Sequence, residues 1–170
     1  MVRFGISLYG LYPSEEDDRS SVDLIPAMEL RTKIVNLKTV PAGCGVSYGH
    51  TFVTHRETRI ATIPVGYADG YPRALSSKGR VIVNGQFAPI IGRVCMDQCM
   101  LDVSGVPARV GDIVTVFGDT LTTEQYAAWM HTINYEAVCL IGKRVPRVYM
   151  ENGEAVSCEG LLSEHGAAHE

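Results

Sequence analysis

No run of about 18 apolar residues occurs in the 170-residue chain, so no segment reads as a transmembrane helix. The N-terminus lacks the charged, apolar and small-residue regions of a secretory signal. Basic charge is not in excess: 15 Lys and Arg stand against 19 Asp and Glu, net −4, and they are scattered. That distribution forms no basic patch, and no nucleic-acid partner is expected. The five cysteines (Cys44, Cys95, Cys99, Cys139 and Cys158) are odd in number and irregularly spaced, which does not suggest a disulfide framework and points to a reducing, cytoplasmic setting. Cys95 and Cys99 form a lone C-x-x-x-C without two further ligands at metal spacing. No metal is expected there, and both read as small buried residues of a strand. Internal repeats and low-complexity tracts are also missing.

What is present suits one globular domain: 46% hydrophobic and 20% charged residues over a length sufficient for a core. Residues 1–12, MVRFGISLYGLY, read as an apolar strand-like run, and 13–24 as a polar, acidic linker. From residue 30 short strands alternate with turns: LRTKIVNLKTV (30–40), RIATIPVGY (59–67), RVIVNGQFAPIIG (80–92), VCMDQCMLDV (94–103) and DIVTVFG (112–118). Asn84-Gly85 marks a hairpin, and Asn152-Gly153 a last one. One helix interrupts the strands. Thr122 can cap it, Gln125 follows three residues later, and Tyr126, Trp129, Met130 and Ile133 form an apolar stripe read as core. NYEAVCLIG (134–142) reads as a second short helix, and the tail 163–170 as frayed. The pattern predicts a mostly β fold, an antiparallel barrel or sandwich with one or two short helices.

Three tyrosines stand beside glycines, in Leu8-Tyr9-Gly10, Ser47-Tyr48-Gly49 and Gly66-Tyr67-Ala68-Asp69-Gly70, where backbone can approach a ligand closely. Taken alone they read better as aromatic fillers at strand ends. Six ordered blocks carry more: VRFGISLYGLYPS, VSYGHTFVT, ATIPVGYADGYPR, APIIGRVCMDQCMLDV, the GD-V-T-FG stretch at 111–118, and INYEAVC with RVPRVY. Together these resemble the bacterial alanine racemase family over nearly the whole chain.

The resemblance implies the C-terminal β domain, residues 25–162, of an enzyme dependent on pyridoxal phosphate (PLP). Residues 1–12 would be the last strand of a preceding (β/α)8 barrel. It also implies a homodimer and an amino-acid substrate, with L- and D-alanine interconverted for peptidoglycan. The family's PLP-bearing lysine lies in a Lys-Ala-Asn-x-Tyr-Gly-His motif absent from these residues, so the chain alone is expected to be inactive. A membrane anchor upstream is left open. By the same resemblance Arg3 faces the PLP ring nitrogen. An arginine yields no proton near neutral pH, so it weakens the ring as an electron sink and favours racemisation over side reactions. The backbone N–H groups of Gly5 and Ile6 correspond to the phosphate cradle. Tyr48 matches the catalytic tyrosine that serves one face of the α-carbon, acting on the partner subunit's barrel. Tyr67 and Arg93 match residues at the mouth of the site. Met96 matches the residue whose N–H receives the substrate carboxylate, with Asp97 fixing its loop.

Lys143 departs from the family, whose better-known members carry a tyrosine there that bonds the PLP phosphate. A lysine can still pair with phosphate as a point charge. Vancomycin-resistance-type serine racemases also lack that tyrosine, so serine is an alternative substrate. A PLP decarboxylase of similar architecture and a non-catalytic binding module using this β domain are further alternatives.

Overall fold

The computed structural model describes residues 1–14, 16–20 and 22–160. The expected tail, 163–170, lies outside them. Eleven strands and two α-helices follow one another: β1 (Leu30–Lys33), β2 (Asn36–Val40), β3 (Gly45–Val46), β4 (Phe52–Val53), β5 (Thr58–Ile63), β6 (Arg80–Val83), β7 (Gln86–Ile91), β8 (Cys99–Asp102), β9 (Ile113–Phe117), α1 (Thr123–Trp129), α2 (Asn134–Cys139), β10 (Arg147–Glu151) and β11 (Glu154–Glu159). Seven strands form one antiparallel sheet in the order β1-β9-β6-β7-β8-β5-β2.

Its outermost strands, β1 and β2, are separated by only Ile34 and Val35. The Ile34 N–H donates to Asp112 O (3.0 Å), next to β9, and the Val35 N–H donates to Thr62 O (2.9 Å) in β5. The segment therefore changes partner within two residues and joins the two edges of the sheet. β7 turns the opposite corner: Gln86–Pro89 pair with β6, while Ile90 and Ile91 pair with β8. Strands that switch sheets at corners are how antiparallel sheets close into a barrel-like sandwich. The expected mostly β barrel or sandwich with one or two short helices is the fold observed, with two α-helices among the described residues. Closure also protects the sheet's edges from pairing with other chains.

Alternation builds the core. Val81, Val83, Ala88, Ile90, Leu101, Val114 and Val116 point inward and are buried. α1 lays Tyr126 and Ala127 against them, with the Tyr126 ring 5.2 Å from Phe117 and 5.9 Å from Tyr71 between centroids. Thr122 and Gln125 form a reciprocal capping box at its start. Trp129 and Met130 pack against the core as expected, but Ile133 is 63% exposed because the chain turns there to begin α2.

Three further readings change. Residues 1–12 hold no strand: Gly5–Tyr9 is a 3-10 helix. Ile6 and Leu11 pack on Val138 of α2. The Tyr12 hydroxyl donates to Val22 O (2.8 Å) and accepts from the Leu24 N–H (3.2 Å). The run 94–103 is a strand only over Cys99–Asp102; Cys95 is buried in a loop closed by its N–H to Gln98 O (2.9 Å). The run 59–67 is a strand only to Ile63, beyond which it leaves the sheet.

Candidate active site

Register brings three loops to one end of the barrel. β5 and β8 pair with Ile63 opposite Cys99, and β7 and β8 with Ile91 opposite Met100. The loop leaving β5 (64–71) and the loop joining β7 to β8 (92–98) therefore emerge together. The small β3–β4 hairpin adds the third, 47–50.

Close backbone approach fuses them. The Tyr67 N–H donates to Cys95 O (3.1 Å) and the Ala68 N–H to Met96 O (3.0 Å). Gly66 is required at this crossing, because a Cβ would stand 2.3 Å from both of those carbonyl oxygens. Gly92, at φ 73°, likewise leaves room for Val46 O, 2.8 Å from where its Cβ would be. Ser47 then adopts φ 65°, ψ −178°, a region almost reserved for glycine. Its hydroxyl donates to Arg93 O (2.7 Å) and lies 3.4 Å from Cys95 Sγ.

The result is an open cleft of about 660 Å³. Tyr48, Tyr67, Arg93, Met96 and Asp97, five residues singled out in the sequence, all line it. Tyr48 projects outward, 73% exposed. The Arg93 guanidinium lies over Gly49, 3.2 Å from the Cβ position there. Among the described residues the Met96 N–H has no hydrogen-bond acceptor, so the amide is free to bind. Arg3, Gly5, Ile6 and Lys143 do not line this cleft. Arg3, Gly5 and Lys143 are exposed, whereas Ile6 is buried against Leu11 and Val138. Gly5 has φ 56° and open space where a side chain would be, so its backbone is approachable.

Three contributors escaped the sequence reading. Arg73, which ends the block ATIPVGYADGYPR, lines the cleft. Ser47 carries the strained backbone before Tyr48. Arg144, beside Lys143, pairs through Nε with Asp69 Oδ1 (2.9 Å) and through Nη2 with Asp97 Oδ1 (2.7 Å). Their place in the quoted blocks was the available signal; their contacts are tertiary. Among the described residues no cluster of His, Cys, Asp and Glu is arranged to hold a metal ion.

Fold and cleft together define a class: a β domain that presents a phenol, guanidinium groups and an unspent backbone amide from one rim. Residues 27–149 match the family described as alanine racemase, C-terminal domain, and the chain belongs to that family. It is 50% identical over 167 residues to the alanine racemase of Clostridium novyi, covering 95% of this chain and 43% of that protein. The solved alanine racemase of Clostridium difficile 630 in complex with cycloserine superposes at a TM-score of 0.87 with 43% identity, over 91% of this chain and 42% of that one. The Bartonella henselae alanine racemase with covalently bound pyridoxal phosphate superposes at 0.79 with 33% identity, over 85% and 40%. The chain thus spans about two fifths of the length of the relatives it matches.

Proposed function

We propose that this chain supplies the C-terminal part of a PLP-dependent alanine racemase, with Tyr48 as one of its two proton-transfer groups. The observation that carries the reading is the presentation of Tyr48. A large aromatic ring, 73% exposed, is aimed by a neighbouring residue held in a costly backbone conformation. Such strain is worth about 1–3 kcal/mol and persists where function needs the geometry. A mere strand-end filler would be buried.

The donor set of the chain fits an anionic, phosphate-bearing cofactor. Arg3 and Lys143 are exposed cations, and the Gly5 backbone is open. Arg3 would face the ring nitrogen, the Gly5 and Ile6 amides and Lys143 would hold phosphate, and the covalent lysine would come from outside this chain. When bound, PLP supplies the electron sink that lets the α-proton leave. The chain's own part is to receive and deliver that proton at Tyr48 Oη, on one face of the α-carbon. A phenol acts as a base only where cations favour its charged form. The free Met96 N–H receives the substrate carboxylate, and Tyr67 and Arg93 narrow the mouth. Because the ring of Tyr48 points away from its own core, the site is completed by another polypeptide surface, the barrel of a partner subunit in a homodimer.

The test uses the complete enzyme, this chain joined to the N-terminal part that its relatives carry. Tyr48→Phe keeps the ring and removes the proton carrier. PLP binding should survive while racemisation falls by ~10²–10⁴, the usual worth of a positioned acid–base group. Exchange of the α-proton with solvent should be lost unequally from the two enantiomers. This chain by itself should racemise nothing. Serine assayed beside alanine measures what Lys143 does to specificity. A small loss, equal for both enantiomers, would reduce Tyr48 to packing.

A further inference from the structure

We infer that Arg144 is a positioning residue for substrate binding, clamping the Tyr67 loop to the Met96 loop. The inference rests on the racemase reading above. One guanidinium spends two separate N–H groups on two carboxylates from different loops, Asp69 at 2.9 Å and Asp97 at 2.7 Å. Charge-assisted hydrogen bonds of this length are the strong kind, and only the planar fork of arginine reaches two partners with fixed geometry. The hydrogen bond that Arg144 donates to Asp97, and behind it the charge of Asp69, raise Arg144 above the ordinary arginine value, so it stays cationic.

Each carboxylate passes the restraint on. Asp69 is largely buried, and its second oxygen accepts the Gly66 N–H at 2.8 Å, which closes the turn carrying Tyr67. Asp97 adjoins Met96, which lines the cleft and whose N–H has no hydrogen-bond acceptor among the described residues. Arg144 thereby fixes the spacing between a phenol and an amide on opposite loops. It also cancels charge. Without it, the Asp97 carboxylate, which lines the cleft, would stand unpaired next to the Met96 amide, and like charges at close range repel an incoming amino-acid carboxylate. Tyr48 sits on the third loop, which Arg144 does not touch.

That separation gives the test a signature. In the complete, PLP-loaded enzyme, Arg144→Met should raise KM for alanine by about tenfold or more while kcat stays within about threefold, the pattern of lost binding rather than lost proton transfer. Arg144→Lys restores the charge without the fork, and its KM should fall between. Asp97→Asn leaves the Asp69 pair intact and guards against a misfolded Arg144→Met; it should raise KM less. Combined with Arg144→Lys, its effect should be non-additive. An unchanged KM in folded, cofactor-loaded Arg144→Met or Asp97→Asn would overturn the inference, as would a fall in kcat at constant KM. Failure of the racemase reading would show differently, as an inactive parent enzyme.

Discussion

At the scale of single residues, Ser47 poses the sharpest question: why a side chain stands where glycine would be free of strain. Its φ of 65° with ψ near 180° costs about 1–3 kcal/mol in any residue with a Cβ. The hydroxyl offsets this by donating to Arg93 O, tying the Tyr48 turn to the 92–98 loop. Ser47→Gly removes strain and anchor together, so stability should change by less than about 1 kcal/mol. In the complete enzyme proposed above, racemisation should nevertheless fall by about tenfold, since Tyr48 would lose its fixed aim. Ser47→Ala keeps the strain and loses the bond, and should cost about 1–2 kcal/mol in stability. Thermal unfolding and racemase assays on both variants check this. A fully active Ser47→Gly would show that the serine does not aim Tyr48.

At the scale of elements, α1 is stabilised by local chemistry. Thr122 accepts the Gln125 N–H, and the Gln125 side chain returns to the Thr122 N–H. Thr122→Ala should lower stability by about 1 kcal/mol, read from the shift of the denaturation midpoint. A cap of this kind was legible in the sequence because its partners lie three residues apart. The same holds for the Asn84-Gly85 turn, where both residues take positive φ, 48° and 76°. The split of 30–40 was not legible in that way. Leu30, Thr32 and Ile34 keep one phase, and Leu37 resumes in the other, so the bend sits where the alternation slips. Its cause is a change of partner from β9 to β5, a non-local event. Residues 95–98 misled for a related reason: an apolar, β-rich run leaves the sheet because Gly66 lets another loop bond its carbonyls. The candidate site divides likewise. Tyr48, Tyr67, Arg93, Met96 and Asp97 were carried by ordered blocks and meet in one cleft. Ser47 and Arg144 act through contacts that only the folded chain creates.

At the scale of the whole molecule, the barrel interior carries three weak acids that the fold keeps neutral. The hydroxyls of Tyr71 and Tyr126 are buried with no hydrogen-bond partner among the described residues. Cys99 is buried too. Burial pushes all three groups up; Cys99 reinforces the rise for both phenols, and Cys95 reinforces it for the thiol. The sign follows from which state releases protons first. In the unfolded chain a thiol ionises near pH ~8.5 and a phenol near ~10, while in the folded chain both stay protonated well above that. The stability they contribute is complete below the unfolded values and is lost as pH rises from there toward the folded ones. Each group steepens the loss by about 1.4 kcal/mol per pH unit, so the three together approach ~4 kcal/mol per unit above pH ~10. A domain of ordinary stability, about 5–15 kcal/mol, should unfold within a few units. Tyr126→Phe removes one titrating group together with a hydroxyl that makes no bond. Stability near pH 7 should hold, and the alkaline slope should shrink by about a third. Denaturant midpoints of this chain and the variant, measured from pH 7 to 12, give both slopes. Equal slopes would mean that Tyr126 ionises alike in both states and that its burial is not what limits the barrel in alkali.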